Sequence, residues 1–278
     1  MSITLTMRFD SLLFPGGLSR AFTLSYDDGV TQDRQLAELF RQYGLKCTFN
    51  LNSGMCGHKF SEGVVRMEEK EFDEVYTGHE LGGHALCHSA LDSVGRPLMA
   101  YEIIEDKRRL EKHAGKPMLM FAYPFGTYND EVVEQLRLAG YKGARTTVST
   151  GSFALPGDFL RWDPTCHHND PRLMELAKRF AEGFSRGPML FYVWGHAYEF
   201  DGMKNWNVIE ELCAYIADHK KDIWCCTNGE LIRYVDAWKS LQYSADGSMI
   251  ENPSATDVWL QLGGPVCIPA GGVWTDGE

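Results

Sequence analysis

Two adjacent carboxylates, Asp27 and Asp28, stand in the run SYDDG at residues 25–29, directly behind an apolar stretch. Like charges side by side are costly unless a cation neutralises them or one is protonated. The pair therefore suits a metal site or acid–base work, although an Asp-Asp-Gly turn closing a strand accounts for it equally well. A second concentration, GHELGGHALCHSAL, holds His84 and His88 four residues apart. Read as helix, that spacing puts both imidazoles on one face about 5–6 Å apart at Cβ, near enough for one ion; an isolated HxxxH also occurs as a simple surface pair. Gly82 and Gly83 would let the backbone turn closely before His84. His79 lies off the spacing and reads as structural. Two histidines, one carboxylate and an open position for water form a hydrolytic arrangement, and Asp28 would complete it.

Two weaker signals follow. In FAYPFGTYND, a strand ends in Tyr123-Pro124-Phe125-Gly126, and such a turn can leave backbone N–H groups free to stabilise an oxyanion. In VWGHAYEFD, His196 follows an apolar run, where a lone histidine serves either as a core hydrogen-bonding group or as a catalyst.

The elements that must position these residues are legible as alternation. The runs AFTLSY, KCTFNLN, MLMFAYP, GARTTV, MLFYVWG and IWCCT read as buried strands. Helical periodicity intervenes at Leu36, Leu39, Phe40 and Tyr43 behind Thr31 as N-cap, and at Val132, Val133, Leu136 and Ala139 behind Asn129. It returns in Leu173, Leu176, Ala177 and Phe180, in Ile209, Leu212, Cys213 and Ile216, and in Leu231, Val235 and Trp238. Strand–helix alternation predicts parallel strands with crossover helices. Polar residues just after the strands, among them Asp27, Asp28, Asn50, Asn52, His196, Thr227 and Asn228, favour an α/β barrel over an open sheet, because barrel strand ends converge on one face. The expected division is one barrel domain over residues 1–251 and a β appendage over 252–278, where VWLQL and PVCIPAGG read as a short hairpin.

The 278 residues are 44% hydrophobic and 23% charged, ordinary for a globular chain. A formal charge of −11 opposes nucleic acid and anionic membrane surfaces as partners. The first seventeen residues show no basic region followed by an apolar stretch, and no window approaches a membrane span, so the expectation is a cytoplasmic or already trimmed protein. Eight cysteines without a CxxC pair read as reduced, buried thiols. Oligomeric state is not encoded in any of these features.

Taken together, the motifs resemble those of the polysaccharide deacetylase family, carbohydrate esterases sharing the nodulation-deacetylase homology domain. SYDDG is similar to its T-F-D-D-G, GHELGGHALCH to its G-H-E-I-G-N-H-T-x-x-H, YPFG to the end of its R-x-P-Y-G, and WGH to its late L-x-H, all in family order. The resemblance implies a distorted (β/α) barrel of about seven to eight parallel strands. It also implies removal of an acetyl group, N-acetyl before O-acetyl, from a sugar, oligosaccharide or polysaccharide. The implied roles are Asp27 as base, His196 as acid, the backbone near Phe125 at the oxyanion, and Asp28, His84 and His88 as ligands to a divalent metal, zinc before cobalt, nickel or manganese.

Departures from the pattern matter. Ala122 stands where the family has the arginine that steadies the base; Arg145 is the proposed substitute and Arg161 the second choice. The family's Asp-Trp motif is represented at best by Trp162, so Asp163 and Glu199 are the candidate partners of His196, with His167 and His168 lining the mouth. Trp162, Trp194 and Trp206 are candidates for a sugar-stacking wall. Two other readings stand beside deacetylation: a related hydrolase of C–N bonds in ureides or imides, and a carbohydrate-binding barrel that has lost turnover.

Overall fold

A computed structural model describes residues 12–184 and 186–276, apart from the side chain of Phe60. The six apolar runs form six of the eight strands β1 (Arg20–Asp27), β2 (Thr48–Leu51), β3 (Glu80–Gly83), β4 (Met120–Ala122), β5 (Gly143–Arg145), β6 (Cys166–His167), β7 (Met189–Gly195) and β8 (Trp224–Cys225), all but β3 and β6. Pairing is parallel throughout and follows chain order from β1 to β5, while β7 lies between β1 and β6. The stretch 162–167 closes the ring, because Trp162 bridges to Arg145 and Cys166–His167 pairs with β7. β8 adds to β1 at Ala21 and Phe22. The result is the expected distorted (β/α) barrel. β3 and β6 carry polar or glycine-rich sequence and offer no apolar run to read.

Crossover helices bury the periodic residues identified above. Helix α1 (Asp33–Gln42) buries Leu36, Ala37 and Phe40, and at about 1.5–3 kcal/mol for each large apolar side chain such a face anchors the helix. Its N-cap is Gln32 without a side-chain cap bond, a correction to Thr31, whose hydroxyl is turned to the Gln32 side chain. Helix α2 (Arg96–Ala114) has a weak apolar period that the sequence reading does not single out. Helix α3 (Asp130–Leu138) is capped as expected: Asn129 Oδ1 accepts from the Val132 N–H at 3.0 Å. Helices α4 (Leu173–Glu182), α5 (Trp206–Asp218) and α6 (Asn228–Lys239) follow along the chain.

Beyond α6, the hairpin of Val258–Gln261 and Pro265–Ile268 takes Leu12–Leu13 as a third strand, and Gln242–Tyr243, Met249–Glu251 and Val273–Thr275 form a second small antiparallel sheet. Regular structure in this region thus begins before residue 252. Most of the N-terminal stretch read as lacking an export signal lies outside the described residues. Among the described residues, no helix is long and apolar enough to cross a membrane. All eight cysteines are free, but Cys87 is exposed and Cys56, Cys225 and Cys267 are half-buried, a correction to the expectation that all are buried.

Candidate functional site

The C-terminal strand ends bring together residues far apart in the chain. Asp27 ends β1 opposite Asn50 of β2. The Asn50 Nδ2 donates to Asp27 Oδ1 at 2.9 Å and to Ser25 Oγ at 2.8 Å. Arg145, ending β5 and fully buried, donates to Asp27 Oδ2; its guanidinium lies 4.3 Å from the centre of the Trp194 ring. Burial alone would push the Asp27 carboxyl up, but Arg145, with His84 and His196, holds it well below the usual carboxylate range. Arg161, the second choice, instead pairs with Asp130 and Asp158 at the surface.

Asp28 departs from the strand with φ 86°, its N–H donating to the Asn50 carbonyl at 2.9 Å. That left-handed backbone turns the carboxylate inward. Its Oδ1 lies 3.8 Å from His84 Nε2 and 3.7 Å from His88 Nε2. His84 Nδ1 is 2.7 Å from the Ala122 carbonyl oxygen, which can only accept. The proton therefore sits on Nδ1, and the Nε2 lone pair faces Asp28. Burial pushes the His84 imidazole down to about 4, against Asp27 and Asp28, and also lowers His88. Burial thus favours the neutral, lone-pair-bearing form of both imidazoles.

The helical reading of His84 and His88 is overturned. His84 follows strand β3 and a tight loop leads to His88, with Ala85 at φ 60° and His88 at φ 57°. Asn52 donates to the carbonyls of His84 and Ala85, and Glu102 of α2 accepts from the Cys87 N–H at 2.8 Å. Asp106, also of α2, accepts from Ser53 and from the His84 N–H. These supports, and Arg66 on Asp28, have no signal in the sequence. Gly82 and Gly83 do not turn; they lie within β3 as points of close approach. A Cβ at Gly82 would fall 2.3 Å from Asn50 Oδ1, and one at Gly83 2.4 Å from the Tyr141 hydroxyl. Gly82→Ala is therefore expected to cost about 1–3 kcal/mol of stability and to displace Asn50 from Asp27. Thermal denaturation beside an activity assay checks this; an unchanged melting temperature would contradict it.

His196, following β7, directs Nε2 to within 4.0 Å of Asp27 Oδ2 and Nδ1 to 3.5 Å from Glu199 Oε1. Burial opposes its charge, but Glu199, then Asp27 and Asp28, raise its pKa. Asp163, the other candidate partner, instead takes the Thr146 hydroxyl. His167 and His168 reach the second Glu199 oxygen at 3.1 and 3.0 Å. This trio has ligand-like spacing, but the Asn169 N–H donates to His167 Nδ1 at 3.2 Å. His167 Nδ1 is thus occupied as an acceptor and its Nε2 faces Glu199, whose carboxylate stands between this histidine pair and His196.

Other candidates lie elsewhere. Tyr123 is buried, its hydroxyl donating to the Leu160 carbonyl at 2.7 Å; it is a core residue. Trp162 is 1% exposed against Phe159 and Tyr192, and Trp194 lies under Arg145 and His167. Trp206 bonds Asp201 and packs on Phe200. No stacking wall forms from these three. Phe125, at φ 60° and 64% exposed, sits edge-on to His88 at 4.5 Å.

Two donors about 2.1 Å from one ion can be at most about 4.2 Å apart, so the 3.7 and 3.8 Å separations from Asp28 Oδ1 to the two imidazole nitrogens fit one divalent cation. Fold and site together define a (β/α) barrel whose strand ends gather a His-His-carboxylate donor set beside a second, ionised carboxylate. The polysaccharide deacetylase family model matches residues 17–144. Over that segment, just under half of the chain, the sequence is similar to the polysaccharide deacetylase family. It is 29% identical over 127 residues to a Bacillus cereus peptidoglycan-N-acetylglucosamine deacetylase, a match covering 44% of this chain and 54% of that protein. The chain spans about half the length of the curated relatives it matches. Among solved structures, a presumed polysaccharide deacetylase from Mycobacterium smegmatis superposes with TM-score 0.59 at 14% identity, covering 82% of this chain and 94% of that one. A CE4 family pseudoenzyme from Bacillus anthracis superposes with TM-score 0.51 at 16% identity, covering 79% and 66%. These two likenesses establish the shared fold.

Proposed function

We propose that the chain is a divalent-metal-dependent deacetylase that hydrolyses an acetyl group, N-acetyl in the first instance, from a sugar, oligosaccharide or polysaccharide. The observation that carries this reading is the convergence of Asp28 Oδ1, His84 Nε2 and His88 Nε2 with Asp27 Oδ2 only 3.9 Å from His84 Nε2. Asp28, His84 and His88 would hold the ion, zinc by donor type, with cobalt, nickel and manganese also compatible. When bound, the ion supplies Lewis-acid polarisation of the acetyl carbonyl and makes water acidic enough to deprotonate near neutral pH.

Asp27 accepts the proton from the attacking water. Arg145 and Asn50 keep it ionised and fix the direction of its free lone pairs. His196 gives a proton from Nε2 to the departing amine, and Glu199 behind Nδ1 stabilises the imidazolium before that transfer. The backbone at Phe125 faces the oxyanion in this reading, and the exposed Phe125 ring borders the approach of the sugar. The buried lower half of the site excludes bulk water and strengthens each of these interactions.

The test combines metal analysis with acetate release from acetylated chito-oligosaccharides. The purified protein should carry about one equivalent of metal, lose at least 100-fold in rate after chelation, and recover with zinc or cobalt. Bound metal without acetate release from any acetylated sugar would point to binding alone or another substrate. Activity that survives complete metal removal would favour the ureide class of C–N hydrolysis.

A further inference from the structure

Asp28 is approached by a cation of the protein's own. Arg66 follows the small hairpin of Lys59–Ser61 and Val64–Val65, and its backbone is tied to the same turn that carries Asp28. Arg66 bridges to Val30, its N–H donates to the His58 carbonyl at 2.9 Å, and the Met67 N–H donates to the Gly29 carbonyl at 2.7 Å. The side chain is 3% exposed. Its Nη1 donates to the backbone carbonyl of Asp28 and lies 2.6 Å from Asp28 Oδ1. That is the same oxygen that faces His84 and His88.

One carboxylate oxygen is thus shared between a fixed guanidinium and the candidate ion position. We infer that Arg66 is a positioning residue that sets metal affinity: it pins Asp28 in its left-handed conformation, neutralises the carboxylate before an ion enters, and weakens the ion's hold afterwards. This rests on the reading of Asp28, His84 and His88 as metal ligands. The sign follows from charge. A buried carboxylate left without any cation is strongly disfavoured, so Arg66 stabilises the metal-free protein. Two cations on one oxygen repel, and in a site with little water that repulsion exceeds what the same pair would feel at the surface. By linkage, whatever Arg66 contributes to the ion-free state is subtracted from the apparent affinity of the ion. An ion held with reduced affinity would exchange readily, and the chain would stay folded without it.

The experiment measures Zn2+ affinity by competition with a chromogenic chelator, and melting temperature with and without Zn2+, for wild type, Arg66→Met, Arg66→Gln and Arg66→Lys. Met and Gln are expected to bind Zn2+ about tenfold or more tightly than wild type. Their metal-free melting temperature should fall and their Zn2+-induced rise should be larger. Lys keeps the charge and should bind Zn2+ within a few-fold of wild type. If Met does not fold without metal, Gln carries the test, because it retains an N–H donor for the Asp28 carbonyl. Equal or weaker Zn2+ binding by folded Met or Gln variants would overturn the inference and leave Arg66 as a structural support only. Failure of the wild type to bind Zn2+ would instead overturn the metal reading itself, so the two failures are distinguishable.

Discussion

Asp27→Asn should lower acetate release by about 10²–10⁴-fold, the range that a positioned general base contributes, while leaving metal content unchanged. The amide is nearly isosteric and can still accept a hydrogen bond from Asn50 or Arg145, but it leaves the buried Arg145 without its counter-charge, so a stability loss of about 3–5 kcal/mol should accompany the rate loss. It cannot take a proton from water at neutral pH. The three candidate ligands Asp28, His84 and His88 remain in place, and the Asp27 side chain is not needed to complete their set. A rate within about threefold of wild type, with metal bound, would remove Asp27 from the mechanism and require another base at the mouth.

The second large effect concerns Arg145. Its guanidinium pairs with the buried Asp27 carboxylate, and breaking a buried pair by removing one partner costs about 3–5 kcal/mol. Arg145→Met should therefore lower stability at pH 7 by about that amount, and it should lower activity as well. The pH dependence distinguishes a lost ion pair from lost packing. In the wild type, burial opposes ionisation of Asp27, but Arg145, His84 and His196 depress its folded pKa below the unfolded value near 3.9. That contribution is present above the unfolded pKa and fades as pH falls through the folded one. Without Arg145, burial dominates and the carboxyl takes up a proton at higher pH. The destabilisation caused by Arg145→Met should consequently shrink as pH is lowered toward 4. Denaturant melts of both proteins across that range check the sign; a pH-independent loss would show that only the packing over Trp194 was removed.

Much of this arrangement is legible in the sequence. Alternating apolar runs and helical faces require parallel strands with crossovers, because each strand buries both faces and each helix one stripe. The weak points have physical causes. β3 reads ELGG, with no apolar alternation, because its two glycines make room for Asn50 and Tyr141; next to HxxxH, it resembles a helix more than a strand. Trp162 invites a sugar-stacking reading by residue type, but its place in the ring-closing stretch packs it against Phe159 and Tyr192. Asp163 and Glu199 were equal candidates as partners of His196, and only the direction in which each side chain leaves its backbone separates them.

Local sequence alone determined which chemical groups are available and roughly where strands end: SYDDG, the histidine pair and the WGH tripeptide carry their types and order within a few residues of chain. Tertiary structure alone decided which charges meet. Arg145 reaches Asp27 across 118 residues, and Arg66 reaches Asp28 across 38, because barrel closure brings the ends of different strands and loops to a common face. No local periodicity encodes such pairings. They follow from strand order and from the left-handed turns at Asp28 and His88, which depend on the completed packing around them.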